Sequence, residues 1–150
     1  MSNELNEIKA WLVKFQECVQ SVDYATARKM FDPDCYCFGS LAEKVFSLDE
    51  LIEKQWSQIW PNCQGFQFNL DEIHMEICQE GDMACAMVPW TSIGFHPDGN
   101  PFERPGRVTI LLKKNPSTKN WVALHTHYSL KPGTPQSTKK PTAGFAAHKK

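Results

Sequence analysis

The residues best equipped for chemistry cluster near the end of the chain. His125 and His127 sit two apart in a strand-like run, followed by Tyr128 and Ser129, and Arg107 lies alone in an apolar stretch ahead of them. Imidazoles ionise near neutrality and can move protons or bind metals. A metal site needs a third ligand from His, Asp, Glu or Cys. His74 and Glu76 could supply one, but no spacing requires it, so no metal and no cofactor are expected. The competing reading of the histidines is a hydrogen-bonded pair on a sheet face or at a subunit contact. Proton transfer, if there is any, would fall to His74, His127 or Tyr128. Arg107 could be a fixed cation for a carboxylate, which a guanidinium grips bidentately. Alternatively it could be half of a salt bridge to Glu103, Glu76 or a partner subunit.

Six cysteines stand at 18, 35, 37, 63, 78 and 85, with no Cys-x-x-Cys among them. Cys35 and Cys37 point the same way in an extended segment. With no neighbouring cation to activate them, they read as reduced, buried thiols. Aromatic residues could wall a ligand pocket, since such sites are mostly apolar with a few placed polar groups. Trp56, Trp60, Trp90, Tyr36 and Phe38 are the candidates, with plain core packing as the alternative.

Several elements must position these groups. Leu5, Ile8, Leu12, Phe15 and Val19 recur at helical steps, which predicts a helix over 4–21. Asp23 caps a short second helix, closed by Asp32-Pro33. Ser47-Leu48-Asp49-Glu50 is a capping box opening a third helix over about 48–60. Cys35–Phe38 reads as a short strand. Strands follow within 66–80, 83–95, 104–114 and 120–130, and Pro89 marks a bulge or an edge. Strand alternation puts His125 and His127 on one side with Trp121, Ala123 and Ser129. Tyr128 then faces the other way with Val122, Leu124 and Thr126.

At 150 residues, 41% of them apolar and 22% charged, the chain fits one domain with a real core. Its acidic start lacks the features of a secretory signal, and no apolar run is long enough to span a membrane, so a cytoplasmic location is expected. Five of the 16 basic residues and none of the 17 acidic ones fall in 131–150, leaving 11 basic against 17 acidic residues before them, a net −6. An acidic body argues against nucleic acid as a partner. The last residues are rich in Pro, Ser, Thr and Lys and read as a mobile basic tail over 134–150.

The order of elements is α+β. It resembles the SnoaL-like, nuclear-transport-factor-2-like cone, with three helices packed on a strongly curved, mostly antiparallel sheet over 1–133. Gly81-Asp82-Met83-Ala84-Cys85-Ala86, Asp98-Gly99-Asn100-Pro101, Arg107-Val108-Thr109, Trp121 and His125-x-His127-x-Ser129 are similar to the association domain of calcium/calmodulin-dependent protein kinase II and its stand-alone bacterial relatives. The resemblance implies a self-associating protein, a homodimer or larger ring. Its internal pocket would take a small organic anion or an aromatic compound, with Arg107 as anchor and Tyr128, Trp90, Tyr36, Thr126 and Trp56 around it. His125, His127 and Trp121 would face a second copy. Where the family has two further pocket arginines, this chain has Trp90 and Tyr128. The superfamily also includes ketosteroid isomerases, but their catalytic acids would fall near Cys37–Gly39 and Thr109, where no acid stands. A SnoaL-like lyase, isomerase or hydrolase and a pure assembly module remain the alternative expectations.

Overall fold

The computed structural model describes residues 2–141. Helix α1, Ser2–Ser21, opens the chain. It buries Ile8, Leu12, Phe15, Cys18 and Val19, the face its periodicity announces. Helix α2, Tyr24–Arg28, starts where the Asp23 carboxylate accepts from the Thr26 N–H at 3.0 Å. The third helix, α3 (48–62), is a composite. An α turn at Leu48–Leu51 leads into a π segment, Ile52–Trp56, then a short α turn, Ser57–Ile59, and a closing 3₁₀ turn, Trp60–Asn62. At its start Ser47 Oγ accepts from the Glu50 N–H, and the Glu50 carboxylate accepts from the Phe46 N–H, one residue outside the expected capping box. No helix of the described residues is long and apolar enough to cross a membrane.

Six strands form one sheet. They are β1 Gln64–Phe68, β2 His74–Ile77, β3 Met83–Phe95, β4 Pro101–Glu103, β5 Gly106–Lys114 and β6 Trp121–Leu130. The order is β1-β3-β5-β6, all antiparallel, with β2 and β4 also paired to β3. The sheet therefore curls around the helices without closing into a barrel. The alternating stretch expected within 66–80 is two strands, β1 and β2, split by a 3₁₀ turn at Leu70–Glu72. Pro89 explains the break. Its carbonyl accepts from Asn69 N, so its missing N–H lies on the same side, where the partner strand is interrupted and no ladder bond is lost.

The outer edge of β6 is not bare. The segment 31–38 runs parallel to it through bridges at Phe31 to Ala123 and Phe38 to His127. The short strand expected at 35–38 is this cover, and it blunts an exposed edge. Within β6 the register slips at Leu124, between the pairs Leu111–His125 and Leu112–Ala123. This β-bulge reverses the strand's alternation at that point.

Residues 134–140 also depart from the sequence reading. They are not a free tail but lie hydrogen-bonded across the ends of α3, β3 and the β4–β5 turn. The remainder of the expected tail, 142–150, lies outside the described residues.

A donor-lined candidate binding cavity

Between α1, α3 and the inner face of the sheet lies a cavity that offers about 40 Å³ to the centre of a water-sized sphere. One water needs about 10–15 Å³ on that measure, so the space suits roughly three waters or a small ligand group. Phe15 and Val19 come from α1, and Leu51, Gln55, Trp56, Ile59, Trp60 and Cys63 from α3 and its exit. The sheet side supplies Phe66, Trp90, Ser92, Arg104, Thr126 and Tyr128.

The walls are aromatic. Trp56 and Trp60 stack at 4.5 Å, one turn apart. Phe66, Trp90 and Tyr128 form a ring cluster on the opposite wall, with centroids 5.5 to 6.5 Å apart. Trp90 lies directly over Gly106, the only residue type that leaves room for it: a Cβ there would run into the Trp90 ring and the Ser129 carbonyl oxygen.

The cation of this cavity is Arg104. It is 2% exposed, and no carboxylate among the described residues lies within ion-pair distance. Its backbone is clamped to Ser92: Arg104 N–H donates to the Ser92 carbonyl, and Ser92 Oγ donates to the Arg104 carbonyl at 2.7 Å. Pro105 favours the extended conformation at this position. The Nη2 amine donates to Ser40 Oγ at 3.2 Å and to the Gln136 carbonyl at 2.9 Å. Ser40 Oγ in turn accepts from Gln55 Nε2 at 2.9 Å. The other end of that carboxamide accepts from the backbone N–H groups of Leu41 and Ala42. Gly39 admits Gln55 here, because a Cβ would overlap its carboxamide. Burial pushes the Arg104 guanidinium below its ordinary value, yet arginine stays charged in proteins.

Among the described residues, three of the four buried side-chain polar atoms without a partner belong to residues that line this one cavity. They are Trp90 Nε1, Arg104 Nε and Tyr128 Oη; the fourth, on Trp11, does not line it. All three carry a proton to donate. Although Tyr128 as a residue is only half-buried, its hydroxyl is fully enclosed, and burial drives its pKa far above the ordinary 10.0. The phenol is therefore a neutral donor at any physiological pH. The sign of its contribution to stability follows. Up to about pH 10 folded and unfolded chains both hold the neutral form. Above it the unfolded chain gains by ionising and Tyr128 cannot, so stability falls as pH climbs. Urea midpoints taken at neutral pH and above pH 10 are expected to drop in the wild type and to drop less in Tyr128→Phe. An equal drop in both would place the loss elsewhere, Tyr24 being the other tyrosine that burial pushes up.

Of the residues singled out from sequence, Phe38, Trp56, Trp60, Trp90, Thr126 and Tyr128 line the cavity. Arg107 does not. It is exposed on the outer face and donates to Ser129 Oγ at 2.6 Å. Alternation along β5 sends Val108, Ile110 and Leu112 inward, so Arg107 must point out, and Arg104 takes the expected anchoring place. Tyr36 is also outside, 42% exposed and stacked on Phe46, because its neighbours Cys35 and Cys37 occupy the core side. Trp121 is buried at 6% and donates from Nε1 to Glu7 on α1 at 2.8 Å. The bulge at Leu124 puts it on the core face with Thr126 and Tyr128, opposite the histidines. His125 and His127 do point away from the cavity, both packed edge-on against Phe38. His74 is exposed and pairs with Glu76 at 2.9 Å. Neither His74 nor His127 reaches the cavity. All six cysteines are free thiols. Hydrogen bonding to Cys37 and burial push the Cys35 thiol up.

No functionally curated protein matches the chain. Among solved structures, a nuclear-transport-factor-2-like superfamily protein from Salmonella enterica serovar Typhimurium superposes with a TM-score of 0.73 at 19% identity, covering 88% of this chain and 95% of that one. A Xanthomonas campestris protein assigned as a calcium/calmodulin-dependent protein kinase II association domain gives 0.70 at 14% identity, over 85% of this chain and 88% of that one. A ketosteroid isomerase-like protein from Erwinia carotovora atroseptica gives 0.71 at 15% identity, over 90% of this chain and all of that one, 100%. Identities this low speak for the fold alone. The family model of the SnoaL-like domain matches residues 8–132, and the chain belongs to that family.

Proposed function

We propose that the protein binds a small organic molecule in this cavity, one with a flat apolar body and an oxygen acceptor at its end, a carboxylate or a carbonyl. The observation that carries the reading is the set of three buried, unpartnered donors on Trp90, Arg104 and Tyr128. A buried donor with no acceptor costs about 1–3 kcal/mol, and more for a charged one. Each donor that an acceptor-bearing ligand reaches is relieved of that cost, and Arg104 favours a ligand that is anionic. Trp56 and Trp60 present flat apolar surface to its body.

Binding is favoured over proton-transfer catalysis for a specific reason. No Asp, Glu or His lines the cavity. Its titratable groups are a guanidinium, a phenol held neutral and the Cys63 thiol, whose pKa burial raises. A general base poised near neutrality is what such chemistry needs, and none is in reach.

Matched probes test this reading by thermal shift and by fluorescence of the cavity tryptophans. Benzoate is expected to raise the Tm, and benzylamine, of the same shape and opposite charge, to leave it unchanged. At a concentration of 100 Kd the stabilisation is about 2.7 kcal/mol. Equal effects from both compounds, or none from benzoate and its carbonyl analogue benzaldehyde, would end the proposal.

A further inference from the structure

We infer that residues 134–140 form a gate over the cavity, opening to admit a ligand and closing upon it. The segment hangs on named polar contacts. Thr138, 8% exposed, is its one buried side chain. Thr138 Oγ1 accepts from the Phe95 N–H at 2.7 Å and donates to the Asn62 carbonyl at 2.7 Å, so a single hydroxyl ties the strap to both β3 and the end of α3. The Lys139 N–H donates to the Phe95 carbonyl at 3.2 Å, and the Lys140 N–H to Asn62 Oδ1 at 3.1 Å. Gly94 makes room beneath: a Cβ there would lie 3.0 Å from Thr138 Oγ1 and 2.9 Å from Arg104 Cδ.

The strap's position is what makes it a gate. On one side of it lies a surface depression of about 360 Å³, which shares Gly39, Ser40 and Tyr128 with the cavity. On the other lies one of about 120 Å³, lined in part by Lys140, which shares Trp60, Cys63 and Phe66. Residues 131–134 and Gln136 line the first depression and Lys140 the second, and each depression has a wall in common with the cavity. No strap residue lines the cavity itself, and the strap holds its wall through the Gln136 carbonyl on Arg104; the cavity has room for only about three waters, so a ring-sized ligand must move something to enter. The strap is the element made to move. It has no apolar anchor, and segments held by a few polar contacts are the first to open locally.

Arg104 links strap to ligand. Its Nη2 amine is committed to Ser40 and the Gln136 carbonyl, while Nε stays unpartnered. Strap and ligand therefore use different nitrogens of one guanidinium and can be bound together. Each fixes the side chain for the other, so a bound acceptor holds the gate shut. This coupling rests on the binding proposal; the strap's control of access does not.

Thr138→Val in the full chain removes both hydroxyl contacts and keeps the side chain's shape, and Thr138→Ser keeps the contacts. Loss of the two hydrogen bonds is expected to populate the open strap about tenfold more. Acrylamide quenching of the tryptophan fluorescence then rises in Thr138→Val, since Trp56, Trp60 and Trp90 line the cavity, while Thr138→Ser stays at the wild-type level. Benzoate is expected to leave Thr138→Val about tenfold faster in stopped-flow. Unchanged quenching in Thr138→Val, or equal quenching in the two variants, overturns the gate. If benzoate binds neither protein but quenching still rises, the gate stands and the ligand proposal falls.

Discussion

Arg104→Met is expected to weaken benzoate binding by about 10- to 100-fold, while Arg107→Met leaves it unchanged. A hydrogen bond to a charged group contributes about 1.5–3 kcal/mol, which sets that range. Methionine follows the stem of the arginine into the same space and brings neither charge nor donor. Two opposing terms act on the ligand-free protein. Removing a buried cation that has no anionic partner relieves its desolvation cost. Against this, Ser40 Oγ and the Gln136 carbonyl each lose a donor. The urea midpoint is therefore expected to move little or to rise, in contrast to the usual result of truncating a core residue. Fluorescence titration with benzoate and urea unfolding of both variants settle the matter. If Arg107→Met loses binding and Arg104→Met keeps it, the anchor is on the outer face after all.

Gly106→Ala is expected to be the most damaging single methyl group in the protein. The new Cβ would meet the Ser129 carbonyl oxygen and the six-membered ring of Trp90. Neither can give way. Ser129 is held in the β5–β6 ladder, opposite Arg107, and Trp90 is 2% exposed among Phe66 and Tyr128. Overpacking of this kind costs about 3 kcal/mol and more where backbone is the obstacle. Against a typical total of about 5–15 kcal/mol, the loss leaves a marginal domain. Gly133→Ala is the control. There φ is +90° and nothing lies within 4 Å of the added carbon, so only backbone strain of about 1–2 kcal/mol applies. Denaturant unfolding of the pair measures the difference. A Gly106→Ala protein within about 0.5 kcal/mol of wild type would mean that Trp90 does not pack over this strand.

Much of the architecture is written locally in the chain. The α1 face, the Asp23 cap and the start of α3 at Ser47 depend on neighbours three or four residues apart, and they are where the sequence puts them. The long β3 strand survives Pro89 for a reason that needs the tertiary partner, the gap between β1 and β2. Arg104 was legible in principle. Residues 104, 106, 108, 110 and 112 share one parity, and the apolar ones fix it as the inward one. Arg107, the position that the family resemblance points to, has the opposite parity and is exposed. Tyr36 was likewise excluded by the parity of its buried cysteine neighbours. Trp121 was not legible, because a bulge adds one residue and leaves no mark in composition. Nor was the docked strap. It is held largely by backbone groups and one threonine, and composition reports side chains.

The π segment at Ile52–Trp56 and the bulge at Leu124 have a shared consequence for comparing this chain with its relatives. Each behaves as a single residue spliced into a regular element, absorbed without redirecting the chain on either side. Gln55 and Trp56 of the π segment line the cavity, as do Thr126 and Tyr128 just beyond the bulge, so both irregularities change which side chains face it. Wall composition in this domain can thus drift by changes of length as well as of residue. An alignment that counts only substitutions would pair an inward residue of one protein with an outward residue of another. At 14–19% identity, equivalent positions should be matched by the direction of the side chain before any role is carried across.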